Sequence, residues 1–248
     1  MTEQEHNQHH EAHSHPTAPS SSSSAWMLPA SILVAALLIS GSLIYLVQSG
    51  GIGNQGPVAA ADPEPTVFPT PTVQERDVII GDPNAPISII EYADFQCPFC
   101  GTFFEETAPQ LRSAYVETGR AKMTYRHLAF LGPESVAAAE ASECAKDQGK
   151  FWSFHDEVYK EEIADGVEHN GNLNKELFVK IATNLELDVP TFSSCVDTRT
   201  HQAAVAAQVE EAATFGVNST PTVFVNDQKV EGAYPFEHFQ QIIEAIKI

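Results

Sequence analysis

The chain has 248 residues, 43% of them hydrophobic, which is enough for one or two domains with a buried core. Its formal net charge at pH 7 is −20, from 33 acidic and 13 basic side chains. This balance argues against binding to nucleic acid or to anionic lipid headgroups, because both need a basic surface. The chain is too long to be a disulfide-dense mini-protein, and it has only four cysteines.

Residues 1–25 are predicted to form a disordered tail that is rich in histidine and serine. Five of the ten histidines lie there, together with the run from Ser20 to Ser24, and little in this segment can offset the entropy of ordering a backbone. The histidine cluster is compatible with weak binding of a transition metal. A solvated tail without a specific role is the favoured interpretation.

Residues 26–47, WMLPASILVAALLISGSLIYLV, are predicted to be a transmembrane anchor. The stretch carries no charge and, as a helix, is long enough to cross a hydrocarbon core of about 30 Å. Trp26 and Tyr45 lie near its ends, where interfacial aromatic residues occur. A cleaved signal peptide is the alternative, but the apolar stretch is long for one and no positive charge precedes it.

Residues 48–74 are rich in glycine and then in proline, which predicts a linker with a flexible and then a stiffer, extended part. Residues 75–248 are predicted to form one domain. In chain order its patterns indicate a buried strand over 87–94, a helix over 98–118 and a second strand over 121–129. Helical patterns follow over 133–148, 151–162, 175–185 and 200–215, and the domain ends with two strands around a turn at Asn226-Asp227 and a last helix.

The sequence CPFC stands where the first strand gives way to the first helix. A helix N-terminus offers free N–H groups and a positive dipole end, and both stabilise the thiolate of Cys97. Cys100 lies one turn further along, near enough to attack a mixed disulfide on Cys97. The spacing therefore suits a reversible dithiol.

Two other interpretations of CPFC are weaker. A zinc site normally needs four ligands, often in two close pairs, and the other two cysteines, Cys144 and Cys195, are far apart and lie in separate helical segments. A purely structural bridge between Cys97 and Cys100 is the second alternative. We expect neither a metal nor an organic cofactor in this domain.

Residues 78–248 resemble the thioredoxin superfamily, and specifically the DsbA-like thiol oxidoreductases with a helical insertion. The resemblance rests on the strand–CPFC–helix opening, the helical block and the sequence STPTVFVN at 219–226. It implies an α/β thioredoxin fold with an inserted helical domain at about 131–216.

The resemblance also implies roles for individual residues. Cys97 matches the nucleophile of the family and Cys100 its resolving cysteine, while Thr220 and Pro221 match a cis-proline loop that pairs with the substrate backbone. Glu91 matches a buried carboxylate that moves protons beneath the disulfide. For Glu91, a charge at a strand edge is the alternative interpretation.

The two residues inside CPFC depart from the best-known oxidase pattern, which has Pro-His. Phe99 offers the nucleophile neither a cation nor a hydrogen bond, so stabilisation of the thiolate is expected to rest on the N–H groups of the helix. Phe95 and Phe99 could form an apolar rim for unfolded clients, and packing in the core is an equally good interpretation.

Cys144 and Cys195 are predicted to form a second, structural disulfide, with two free buried thiols as the alternative. A disulfide that closes this loop of about 51 residues would stabilise the folded domain by about 4 kcal/mol, because it lowers the entropy of the unfolded chain. Such a bond persists outside the reducing cytosol, so it places the C-terminal domain on the extracytoplasmic side of the membrane.

Together these features predict a single-pass membrane protein whose domain introduces disulfides into reduced extracytoplasmic clients. The resemblance implies a quinone-linked membrane partner that reoxidises it. A reductase or isomerase of the same fold is the nearest alternative, although no dimerisation domain precedes residue 77. A metal-handling surface protein and a catalytically idle scaffold are more distant ones, since neither needs a substrate groove at Thr220-Pro221.

Overall fold

The computed structural model of the protein describes residues 68–165 and 167–247. Within this part of the chain no helix is both long and apolar enough to span a bilayer. The predicted tail at 1–25, the predicted anchor at 26–47 and most of the predicted linker lie outside the described residues.

A five-stranded mixed sheet in the order β1-β3-β2-β4-β5 forms the centre of the domain. Its strands are β1 (Ile79–Gly81), β2 (Ile87–Ala93), β3 (Ala121–His127), β4 (Thr222–Val225) and β5 (Gln228–Glu231). Central β2 pairs in parallel with β3 and antiparallel with β4. It is buried almost throughout, as expected for a β-branched apolar run covered on both faces.

The helix after CPFC is continuous but changes its hydrogen-bonding pattern. It comprises α1 (Pro98–Thr102), a π-helical segment (Phe103–Thr107), α2 (Ala108–Leu111) and a second π-helical segment (Arg112–Val116). Pro98 occupies the first turn, where its missing N–H costs nothing. The first π-helical segment ends two residues before Pro109, which has no N–H to continue the regular ladder.

The helical block consists of α3 (Pro133–Lys146), α4 (Phe151–Asp165), α5 (Lys175–Asn184), α6 (Val189–Asp197) and α7 (Gln202–Thr214), and the described chain closes with α8 (Phe236–Ala245). Helix α6 was not among the four helical patterns predicted from the sequence. The helix after CPFC and α8 cover one face of the sheet through Phe103, Leu111 and Phe239. On the opposite face, Ile90 and Phe224 pack with Ala212 of α7. This is the α/β fold with a helical insertion that the sequence predicted.

Strand β1 was not predicted, because three residues carry too little periodicity to be recognised. It pairs antiparallel with β3 at an edge of the sheet. The segment before it is held by Arg126, which is 1% exposed and donates to both carboxylate oxygens of Asp77, to the carbonyl of Thr72 and to the Tyr92 hydroxyl. A buried guanidinium needs such a complete set of acceptors.

Candidate active site

The turn between β2 and α1 places the two cysteines, and the buried side chain of Asp94 builds this turn. Its Oδ1 accepts from the N–H of Gln96 at 3.0 Å, and its Oδ2 accepts from the N–H groups of Phe130 and Leu131 at 2.9 and 3.0 Å. The Asp94 carbonyl accepts from the N–H of Cys97. Sequence analysis missed Asp94, although an acidic residue directly after a buried strand is a recognisable signal for such a turn.

Cys97 is the N-cap of α1, and the chain then runs helically through Cys100. Both thiols are free, with Cys97 6% exposed and Cys100 fully buried. The pKa of Cys97 is lowered from 9.0 to about 6. The largest cause is a hydrogen bond from the Cys100 thiol, which together with the side chain of Thr220 and the N–H groups of Cys100 and Phe99 outweighs the effect of burial.

Cys100 has the opposite character. Burial raises the pKa of its thiol well above the usual 9.0, and its hydrogen bond to Cys97 and the negative charge there raise it further. The pair is therefore asymmetric at neutral pH. Cys97 is a partly accessible thiolate, whereas Cys100 is a buried thiol that donates to it.

The loop at Thr220-Pro221 lies beside Cys97. The peptide bond between Thr220 and Pro221 is cis, and Cys97 Sγ lies 3.4 Å from the Thr220 carbonyl oxygen. The Pro221 carbonyl accepts from the N–H of Gly232 at 2.8 Å, which ties the loop to the segment after β5.

Glu91 lies in the middle of central strand β2, opposite Tyr125 on β3 and Val223 on β4. It is 3% exposed, so a charge at a strand edge is the wrong interpretation of this residue. Burial raises the pKa of its carboxyl from 4.5 to about 8, the positive charge of Arg112 opposes this rise, and the negative charges of Asp156 and Cys97 add to it.

The residues that act electrostatically on Glu91 form a network that sequence analysis missed. Arg112 donates to both carboxylate oxygens of Asp156, at 3.1 and 3.3 Å, and its guanidinium lies over the ring of Trp152. His155 Nδ1 lies 2.8 Å from Asp156 Oδ1, and burial lowers the pKa of this histidine to about 4. Arg112 and Asp156 are 44 positions apart, so no local pattern could have paired them.

The two phenylalanines around CPFC differ in their surroundings. Phe95 is buried and packs against Tyr125 and Tyr159, with ring centroids 5.4 and 5.0 Å apart. Phe99 is 65% exposed and, with Thr220 and Tyr234, lines a groove beside the cis-proline loop. Packing in the core is therefore the correct interpretation for Phe95 but not for Phe99.

Cys144 in α3 and Cys195 in α6 are joined by a disulfide, with 6.0 Å between their Cα atoms. The bond lies in the cluster that fills the helical insertion, near Phe154, Phe178 and Phe192. This cluster also includes Cys97 and Cys100, so the insertion packs directly against the active-site helix.

Comparisons with known sequences place the chain in a family. The family model described as thioredoxin matches residues 73–245. The chain is 32% identical over 169 residues to a Na(+)/H(+) antiporter, NhaA 3, of Salinispora tropica, a match that covers 67% of this chain but only 24% of the antiporter. It is 26% identical over 199 residues to a "Probable disulfide bond formation protein D" of Bacillus anthracis, which covers 78% of this chain and 83% of that protein.

Solved structures with the same fold include oxidised BdbD from Bacillus subtilis, with a TM-score of 0.62 and 24% identity over 67% of this chain and 90% of that one. The α-DsbA1 protein of Wolbachia pipientis matches with a TM-score of 0.61 and 25% identity, over 72% of this chain and 92% of its own. The chain therefore belongs to the thioredoxin family, and within it to the DsbA-like proteins.

Proposed function

We propose that this protein is a membrane-anchored, extracytoplasmic thiol-disulfide oxidoreductase that introduces disulfides into client proteins through Cys97 and Cys100. The observation that carries the proposal is the asymmetry of this pair opposite the cis-proline loop. A lowered pKa at Cys97 stabilises the reduced form of the pair, which makes the oxidised form a better oxidant.

In the proposed reaction, a client thiolate attacks Cys97 Sγ of the oxidised pair. A bond forms between the client sulfur and Cys97, and the Cys97–Cys100 bond breaks with its electron pair remaining on Cys100. A second client thiolate then attacks the client sulfur of the mixed disulfide and releases Cys97 as a thiolate. The client loses two electrons and the enzyme gains them.

Glu91 is proposed to supply the proton for this step. Cys100 leaves as a thiolate in a buried site, where a charge is costly, and the raised pKa of its thiol shows how strongly it takes up a proton. With a pKa of about 8, the Glu91 carboxyl is mostly protonated at neutral pH. It can therefore give a proton towards Cys100 and regain one through Asp156, which is partly exposed.

The groove lined by Phe99, Thr220 and Tyr234 is proposed to hold the client backbone and its apolar side chains. Phe99 and Tyr234 are 65% and 46% exposed, and unfolded clients offer apolar groups to such a surface. The Thr220 carbonyl, next to Cys97, is an acceptor for a client N–H.

The cellular setting is also proposed. Residues 26–47 anchor the protein in the membrane, and the Cys144–Cys195 disulfide fits an oxidising compartment outside the cytosol. A quinone-linked membrane protein removes the two electrons from Cys97 and Cys100 and restores the disulfide. No metal or organic cofactor takes part in the exchange.

The direction of exchange is tested by equilibrating the full-length chain with glutathione buffers. We expect a reduction potential of about −120 to −150 mV for Cys97–Cys100, near the strong oxidants of this fold and far above the roughly −270 mV of thioredoxin. A value near −250 mV with fast exchange would favour a reductase. The same value with slow exchange would leave only a structural bridge.

A Glu91→Gln variant tests the buried carboxyl through stability. The folded wild type keeps this proton up to about pH 8, whereas the unfolded chain releases it near pH 4.5, so the stability that the proton provides is lost as pH rises across this window. We expect the reduced variant to match the reduced wild type near pH 4 and to exceed it by on the order of 2–4 kcal/mol at pH 8. Urea denaturation at both pH values measures the difference.

The same variant tests the proton-transfer role. We expect slower client oxidation at neutral pH in spite of the higher stability, because glutamine cannot donate the proton. A variant that is stabilised at pH 8 but oxidises clients at the wild-type rate would leave Glu91 buried without a role in the exchange.

A further inference from the structure

A second cleft borders Cys97, and neither Thr220 nor Pro221 lines it. One wall is the face of the active-site helix that carries Pro98, Gly101, Thr102 and Glu105, and the other is the face of α4 that carries Tyr159, Glu162 and Ile163. These positions recur at three- and four-residue spacing, so each wall is one continuous helix face. We call this space, about 500 Å³ and open to solvent, the α1/α4 cleft.

Gly101 allows the two walls to come this close. A Cβ atom at this position would lie 3.0 Å from Ile163 Cγ1, closer than ordinary contacts permit. The floor of the cleft is apolar, since buried Phe95 and Tyr159 line it next to Cys97. The methylene groups of a long side chain would pack well there.

The charges that line the α1/α4 cleft all have one sign: Glu105, Glu162 and Glu168. Glu105 is exposed and, among the described residues, has no hydrogen bond or ion pair that would occupy its carboxylate. Glu162 is 8% exposed, so its electrostatic interactions are screened less by solvent. The cleft therefore combines an apolar floor with carboxylates beside the reactive sulfur.

A buried donor on the wall also points to an occupant. Gln96 lines the cleft and is 1% exposed, and its side-chain oxygen accepts from the Ser135 hydroxyl at 3.1 Å. Its Nε2 has no hydrogen-bond partner in the described part of the chain. Buried donors without a partner are costly and uncommon, and a turn of the Gln96 side chain towards the cleft would bring this one to a main-chain carbonyl of a bound segment.

We propose that the α1/α4 cleft binds the client segment next to the reacting cysteine and selects clients that carry a lysine or arginine there. This rests on the proposed function, in which the client thiolate attacks Cys97. The aliphatic part of the basic side chain lies against Tyr159 and Ile163, and its charge approaches Glu105 and Glu162. The basic residue takes no part in the exchange itself; it positions the client sulfur and speeds the encounter.

The test compares three reduced peptides that differ only beside their cysteine, with arginine, glutamine or glutamate. Each reacts with the oxidised full-length chain, and the second-order rate of Cys97–Cys100 reduction is measured. We expect the arginine peptide to react fastest, and its rate ratio over the glutamine peptide to fall about two- to five-fold in Glu105→Gln and further in Glu105→Gln/Glu162→Gln. The preference should weaken as salt increases.

Glu106→Gln is the matched control, because Glu106 is the neighbouring exposed acidic residue on the same helical segment and does not line the cleft. It should keep the wild-type ratio. Comparing ratios cancels the effect of the flanking charge on the reactivity of the peptide thiol itself. Equal ratios in wild type, Glu105→Gln and Glu106→Gln would overturn the cleft assignment. An oxidised chain that reacts with none of the peptides would overturn the proposed function as well.

Discussion

A Cys97→Ser variant is expected to lose all thiol-disulfide exchange, whereas Cys100→Ala is expected to lose client oxidation but to remain trapped on a client that carries a disulfide. In the structure, where both thiols are free, Cys97 is the more accessible sulfur, 6% exposed against a fully buried Cys100, so we expect attack on the oxidised pair at Cys97. Without Cys97 no disulfide forms at this site. Without Cys100, the Cys97 thiolate can still attack the disulfide between a single-cysteine client and glutathione and displace glutathione as a thiolate. The resulting mixed disulfide has neither Cys100 nor a second client thiol to release it, so it accumulates.

The two variants also differ in the acidity of Cys97, which gives a second measurement. The largest cause that lowers the pKa of Cys97 to about 6 is the hydrogen bond from Cys100. In Cys100→Ala this bond is lost, so the thiolate absorbance of the reduced protein near 240 nm should titrate at a higher pH than in the wild type. Non-reducing gels with a single-cysteine client that carries a glutathione disulfide measure the trapped species. An unchanged pKa of Cys97 in Cys100→Ala would show that the helix N-terminus and Thr220 lower this pKa without a contribution from Cys100.

The positions of the two cysteines at the start of the helix could be predicted, because they depend only on residues that are adjacent in the sequence. Cys97, Cys100 and Pro98 lie within four consecutive positions, and the end of a buried strand followed by a proline at the first helical turn defines their geometry. The α/β fold with its helical insertion was implied by the family resemblance, which rests on the strand–CPFC–helix opening, the helical block and STPTVFVN.

Other parts depend on contacts between distant segments, which no periodicity reveals. The Arg112–Asp156 pair and the α1/α4 cleft each join the active-site helix to α4, and only packing of the insertion creates them. Burial of Glu91 is a related case. The family resemblance implied it, but the residues alone left a strand edge open, because a carboxylate within a β-branched run fits an edge strand until strands on both sides are known.

Removing the Cys144–Cys195 disulfide is expected to lower the free energy of unfolding by about 4 kcal/mol, since the bond closes a loop with a sequence separation of 51 in the unfolded chain. The loss would be a large part of the 5–15 kcal/mol that stabilises a typical domain. The bond joins α3 to α6 within the aromatic cluster of the insertion, which packs against the active-site helix.

The experiment compares Cys144→Ala/Cys195→Ala with its parent in a Cys97→Ser/Cys100→Ser background, so that the structural bond is the only redox difference. Urea denaturation without reductant measures the change, and repeating it with reductant should bring the parent close to the variant. A loss below about 1 kcal/mol would mean that packing around Phe154 and Phe192 already restricts the chain without the bond. A loss near 4 kcal/mol would make the stability of the insertion, and with it the α4 wall of the active site, dependent on the redox state of the compartment.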